Sequence, residues 1–226
     1  MKAMHWFLGI ICSFALMITL LITSVEAVVY WTPGYFEKEY TTYQVAEAVK
    51  MEMDDLLAVT REMMAYLRGS RNDLHVDTVV DRQPREFFNE REIAHMEDVR
   101  GLFLTAIAIR RFCLLLIAGS MIGLFLLKAE IRRVLPKQLC IGTGVFFGVL
   151  ALLAGIISTD FTKYFIIFHE LFFRNDLWVL DPRTDLLINI VPEPFFVDTA
   201  ARIGLTYGLS VAAVFVICLL ILRHRK

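Results

Sequence analysis

Two of the five histidines in this 226-residue sequence sit where imidazole chemistry would be useful. His95 lies within "FFNEREIAHMEDVRGLFL" and His169 within "FIIFHELFFRNDLW", each with carboxylates close by and each partly apolar. A near-neutral imidazole is the natural proton acceptor at physiological pH. The second stretch carries His169, Glu170, Arg174 and Asp176 inside a run so greasy that uncompensated polar groups there cost several kcal/mol each. His5 and His224 stand near the chain ends and His75 in a polar stretch, so His95 and His169 are the two candidates for catalysis.

Other reactive arrangements are weak. No G-x-S-x-G elbow exists, because Ala118 stands where the first glycine belongs ahead of Ser120. "HELFF" is not H-E-x-x-H, since Phe173 occupies the second ligand position. Glu92 and His95 form only one Glu-x-x-His, half of what a di-iron bundle uses. A zinc site from His95, His169 and one acid remains as an alternative. The main reading is general acid and base chemistry without a protein nucleophile, which requires a substrate that brings its own.

The elements that position these residues follow from composition. The chain is 57% hydrophobic with mean hydropathy +0.59, above the roughly 45 to 50% apolar share of soluble domains. The fold class expected is an all-α integral membrane protein with a single membrane domain over 1–226. Spans are predicted at about 6–25, 112–127, 139–157 and 203–222, free of charged side chains. Arg110 and Arg111 precede the second span and are expected to snorkel toward head groups; Arg110 is also counted among the substrate contacts. Lys2, the group Lys128, Arg132, Arg133 and Lys137, and the end group Arg223, Arg225 and Lys226 mark the cytoplasmic side. Both termini are then inside, and segments of about 26–109 and 158–202 face outward.

"SVEA" at 24–27 loosely resembles a signal-peptidase site, but the preceding apolar run is longer than a usual signal core, so a retained anchor is expected. Cys12, Cys113, Cys140 and Cys218 all lie in or beside the spans, which argues against disulfide-stapled outer loops. A net charge of −1 and the lack of a basic stripe leave no case for nucleic-acid binding.

In the first outward segment, residues 42–67 show helical spacing of Val45, Val49, Met53, Leu56, Met63 and Leu67, predicting an amphipathic helix. After a polar stretch through Pro84, Asn89 and Glu92 resemble a capping box that starts a helix running into the second span. His95 and Asp98 fall one turn apart on its face. In the second outward segment, Phe161, Phe165, Phe168 and Phe172 predict an interfacial helix over about 160–173. "NDLWVLDPRTDLL" then reads as turns around a buried Trp178.

"REIAHMEDVRGLF" ahead of the second span and "FHELFFRNDLWVLDPRTDLLINIVPEPFF" ahead of the fourth resemble the signatures of the bacterial lipoprotein intramolecular transacylase family. The resemblance covers the whole chain in topology and about 45 residues in specific motif. It implies a multi-pass enzyme of the bacterial cytoplasmic membrane, active on the extracytoplasmic face, whose partners are diacylated lipoproteins and membrane lipid. The reaction implied moves the sn-2 acyl chain of an S-diacylglyceryl-cysteine onto the α-amino group of the same cysteine. His95 and His169 match the family's two histidines and would be the catalytic pair, without cofactor or metal.

The substrate amine is then the nucleophile, and its pKa of roughly 8 calls for a base. Asp98, Glu170 and Asp181 are expected to orient the pair. Phe168, Phe172, Phe173 and Trp178 would receive acyl chains and exclude water, the competitor that would hydrolyse the ester. The alternatives are a zinc-dependent membrane hydrolase and a non-enzymatic four-span scaffold; outer-loop cysteines typical of such scaffolds are missing from both outward segments. A transporter is disfavoured because the spans carry no ionisable residue near their midpoints.

Overall fold

The computed structural model describes residues 2–224; Arg225 and Lys226, used above for orientation, lie outside them. In chain order the elements are α1 (Lys2–Glu26) with a π-helical turn (Ala27–Trp31), α2 (Tyr35–Thr42), α3 (Val45–Ala48), α4 (Met53–Leu67), β1 (Asp77–Val80) and β2 (Gln83–Glu86). Then follow α5 (Glu90–Leu126), α6 (Ile131–Ile157), α7 (Phe161–Phe172), α8 (Leu187–Ile190) and α9 (Glu193–Arg223). The protein is an all-α membrane protein apart from one hairpin. Four helices, α1 with its π turn, α5, α6 and α9, are long and apolar enough to cross a bilayer, and each predicted span falls on one of them to within a residue.

Two compact units divide the chain: one of residues 1–27, 107–159 and 201–226, the other of residues 28–106 and 160–200. In the first, α1 packs closely on α6 because small residues let the backbones approach. A Cβ on Gly142 would lie 2.0 Å from Ser13 Oγ, and Ser13 Oγ donates to the Gln138 carbonyl at 3.2 Å. Met17, Tyr207 and Val211 form a buried cluster flanked by Phe146 and Leu150, which joins α9 to that pair. Outward flanks stay apolar: Phe112, Leu115, Phe125 and Leu126 are exposed, as side chains facing hydrocarbon should be. Arg110, expected to reach toward head groups, has an acidic partner within the protein. Its Nη1 pairs with the buried carboxylate of Glu26 at the end of α1, which neutralises both charges beside apolar surface.

The second unit has a conventional core of Tyr40, Leu56, Leu74, Phe87, Phe88 and Ile190, all essentially fully buried. The predicted amphipathic helix over 42–67 is three pieces, because Gln44 (φ 53) and Lys50 (φ 55) adopt left-handed backbone. Such conformations cost non-glycine residues roughly 1 to 2 kcal/mol each, and compensating contacts are evident. Val45 and Val49 are buried between the breaks, and the Lys50 carbonyl accepts from Asp81 N at 2.9 Å. The apolar face of this segment therefore packs inside its own unit.

Asp81 opens the turn of a hairpin that the sequence does not advertise. β1 and β2 pair antiparallel with Val80 opposite Gln83, around Asp81 (φ 52) and Arg82 (φ 62). Two-residue turns with both residues left-handed usually announce themselves as Asn-Gly or Asp-Gly. Here an Asp-Arg pair takes that conformation, and the strands are mostly exposed and polar, so neither turn residue nor alternation gives a signal.

Candidate active site

The side chains of interest all belong to the second unit, apart from Arg110. α7 begins with a side-chain cap: Asp160 accepts from Lys163 N at 3.0 Å. Its phenylalanines at helical spacing leave His169 as the one buried residue of the helix. Helical geometry puts the Phe165 carbonyl one turn below, and His169 Nδ1 donates to it at 2.7 Å. A carbonyl can only accept, so in the neutral ring the proton sits on Nδ1 and Nε2 is left as the basic nitrogen.

The capping box that starts α5 forms as predicted. Asn89 N donates to Glu92 Oε2 at 2.7 Å, and Glu92 N donates to Asn89 Oδ1 at 3.0 Å. Glu92 does more than cap: its Oε1 accepts from Leu187 N at 2.6 Å, joining α5 to the start of α8. Buried Asp185 completes this clasp, accepting from Asn89 Nδ2 at 2.8 Å and Asp181 N at 2.7 Å. One turn beyond Glu92, this anchored helix presents His95.

The two imidazoles come together, with ring centroids 6.2 Å apart and planes inclined by 36°. His95 packs edge-on against Phe173 at 5.2 Å, while His169 is surrounded by Phe165 at 4.2 Å, Trp178 at 5.0 Å and Phe168 at 5.4 Å. His95 is 6% exposed and His169 is 8% exposed, so both are largely withdrawn from water. His95 Nδ1 is buried without a hydrogen-bond partner, a polar atom with unused capacity inside an apolar wall. Burial pushes the His169 imidazole below its ordinary value, partly opposed by the bond to the Phe165 carbonyl. Two imidazolium charges this close would repel in so dry a setting, so the pair takes up its protons one at a time.

The remaining expected residues divide. Asp98 lies on the His95 face of α5 and accepts from Asn175 Nδ2 at 2.8 Å. Arg91, one turn ahead of His95, holds the Asp176 carbonyl, so the loop after α7 is tied to α5 on either side of the histidine. Glu170 is exposed, and the His169 nitrogen it was expected to orient is held by the Phe165 carbonyl. Asp181 pairs with Arg183 at 2.6 Å and leaves the clasp to Asp185. Phe173 is buried against both rings, whereas Phe168 and Phe172 are 45% and 49% exposed. Trp178, expected to be buried, is half-buried with its face toward His169. Arg110 pairs with Glu26 as described above.

Among the described residues, no three histidine, cysteine, aspartate or glutamate side chains converge as metal ligands would. What this side-chain cluster offers is a basic nitrogen with a fixed tautomer, a second imidazole opposite it, and aromatic neighbours. That combination suits proton transfer to and from a substrate held away from water.

Residues 10–196 match the family described as lipoprotein intramolecular transacylase Lit. The in meso structure of the membrane-integral lipoprotein intramolecular transacylase Lit from Bacillus cereus superposes with a TM-score of 0.83 at 22% identity, over 100% of this chain and 99% of that one. Two variants of the Bacillus cereus protein with the same histidine replaced are also similar. The arginine variant has a TM-score of 0.76 at 21% identity, covering 99% of this chain and 94% of that one. The alanine variant has a TM-score of 0.78 at 22% identity, covering 99% and 96%. No curated protein compared with the chain matches it.

Proposed function

Because the chain belongs to the Lit family of lipoprotein intramolecular transacylases, and is therefore an acyltransferase, we propose that it moves the sn-2 acyl chain of an S-diacylglyceryl-cysteine to the α-amino group of that cysteine. The product is an N-acyl S-monoacylglyceryl, lyso-form lipoprotein. The observation that carries this reading is the facing pair His95 and His169, each buried, with a free basic nitrogen on the latter.

His169 Nε2 removes a proton from the substrate's α-amine as its nitrogen attacks the sn-2 ester carbonyl. The carbonyl oxygen becomes an oxyanion, and His95 donates a hydrogen bond to it or to the departing glyceryl oxygen. Collapse breaks the ester C–O bond, and the proton taken by the imidazole pair returns to the glyceryl oxygen. Amide forms, ester is lost, and no proton or cofactor is consumed. Nucleophile and electrophile belong to one molecule, so the pocket contributes chiefly by holding them together; effective molarities in well-oriented systems are worth about 7 to 11 kcal/mol. Asp98, on the same helix face as His95, supports that ring's position indirectly, by holding the loop after α7 through Asn175.

The exposed faces of Phe168 and Phe172 would meet acyl chains entering from lipid, while Phe173 and Trp178 keep water from the ester. The positive charges at the helix ends support a topology with both termini in the cytoplasm and the site on the extracytoplasmic face of a bacterial cytoplasmic membrane. A diacylated lipopeptide whose α-amine is acetylated tests the reading. It should be returned intact, because its nucleophile is blocked. Release of free fatty acid from it would mean that water is the acceptor and the enzyme a hydrolase.

A further inference from the structure

A second feature of the unit formed by residues 28–106 and 160–200 is an open groove of about 440 Å³ between the segment that follows α1 and the outer face of α4. Phe36, Leu57 and Met64 make its floor apolar, while Arg61, Arg68 and Ser70 stand along it. Arg61 and Arg68 are two turns apart on one helix face, so both guanidinium groups reach one concavity.

The arginines lack acidic partners for an identifiable reason. Nearby Glu62 is taken by Arg71, which also binds Asp73 and the His75 carbonyl. Among the described residues, neither Arg61 nor Arg68 enters an ion pair. Arg68 is nevertheless held in place: its guanidinium lies 5.2 Å from the centre of the Tyr30 ring, and Tyr30 OH donates to the Met64 carbonyl at 3.1 Å. Glu37 is the one acid lining the groove, which leaves a net positive charge.

The location identifies the occupant. Residues 27–31 continue directly from α1, whose 25 residues amount to about 37 Å of helix, enough to cross the hydrocarbon core. The residues that begin the groove therefore lie at the bilayer interface, where Trp31 presents a half-exposed indole of the kind that anchors proteins at head-group depth. We infer that this groove binds the head group of an anionic phospholipid, its phosphate between Arg61 and Arg68 and its glycerol backbone against Phe36, Leu57 and Met64. Guanidinium groups suit phosphate because their fixed N–H fork matches its oxygens.

Native mass spectrometry of the purified full chain, titrated separately with phosphatidylglycerol and phosphatidylcholine, tests the assignment. Phosphatidylglycerol should bind at least about fivefold more tightly, the scale expected of two partly exposed ion pairs. R61Q, which leaves the Arg68–Tyr30 stack intact, and R68Q should each reduce that preference, and the double variant should abolish it while keeping the wild-type melting temperature in detergent. Equal binding of the two lipids, or an unchanged preference in the double variant, would overturn the proposal. So would inorganic phosphate displacing the lipid at equal concentration. If R61Q and R68Q instead weaken binding of a diacylated lipopeptide and leave phosphatidylglycerol adducts intact, the groove belongs to the substrate peptide and the lipid assignment is wrong. The readout is lipid binding, so its outcome is independent of whether acyl transfer is confirmed.

Discussion

His169 Nδ1 and the Phe165 carbonyl oxygen lie 2.7 Å apart within one turn of α7. The backbone here does what a carboxylate does in many hydrolytic triads: it fixes the tautomer and aims the other nitrogen. It does so without placing a charge beside the ring, which suits an imidazole packed against Phe165, Phe168, Phe173 and Trp178. A buried carboxylate would itself need compensation in so apolar a setting.

Replacing the base should therefore remove most activity. His169→Gln keeps a polar side chain of similar reach but no basic nitrogen, and is expected to lower the transfer rate by about 10²- to 10⁴-fold, the usual worth of general acid–base catalysis. Single-turnover assays on a diacylated lipopeptide would measure this. A drop of less than tenfold, in a protein that melts normally, would remove His169 from the chemistry.

The pH dependence of stability should carry the mark of the same residue. Burial lowers the His169 pKa in the folded protein, so the unfolded chain binds a proton more readily. Its contribution to stability is complete above the unfolded value of about 6.5 and declines as pH falls from there toward the folded value. Thermal melts between neutral pH and pH 5 should show the wild type losing melting temperature more steeply than His169→Gln. Equal slopes would mean that the ring is not desolvated.

Widening the aromatic wall should let water compete. Trp178→Ala opens the half-buried side of the pocket against His169, so the fraction of substrate released as free fatty acid should rise while total ester cleavage falls less. An unchanged ratio of amide to fatty acid, measured by mass spectrometry, would show that water exclusion rests elsewhere.

The clasp between α5 and α8 should matter for stability before chemistry. Glu92→Gln and Asp185→Asn each weaken charge-assisted bonds among buried groups, at an expected cost of about 1 to 3 kcal/mol each. The two variants share the Asn89 partner, so their effects should be less than additive in a double-mutant cycle read by melting temperature.

Much of this was legible in the sequence because its determinants are local. Helical spacing placed His95 beside Asp98 and His169 among phenylalanines, and the pair Asn89 and Glu92 announced a cap that forms. What was not legible depends on distant partners. Asp185, expected to be no more than part of a turn, is the buried centre of the clasp, whereas Asp181, its more conspicuous neighbour, turns to Arg183. Glu170 adjoins His169 in sequence, but neighbours on a helix point about 100° apart, and the orienting group came from the backbone one turn below. The breaks at Gln44 and Lys50 and the Asp81–Arg82 turn carry no sequence signal, because the left-handed residues there are not glycine and tertiary contacts sustain them.

The most direct test of the central claim is mass spectrometry of a lipoprotein's N-terminal peptide from cells that make diacylglyceryl-cysteine lipoproteins, expressing either the wild-type protein or the His95→Ala or His169→Ala variant. The wild type should shift one acyl chain from the glyceryl oxygen to the amine with no change in total mass, and neither variant should do so. Amide formation that persists in both variants would contradict the account of His95 and His169 as the reacting pair, and loss of an acyl chain's mass with the wild type would contradict transacylation itself.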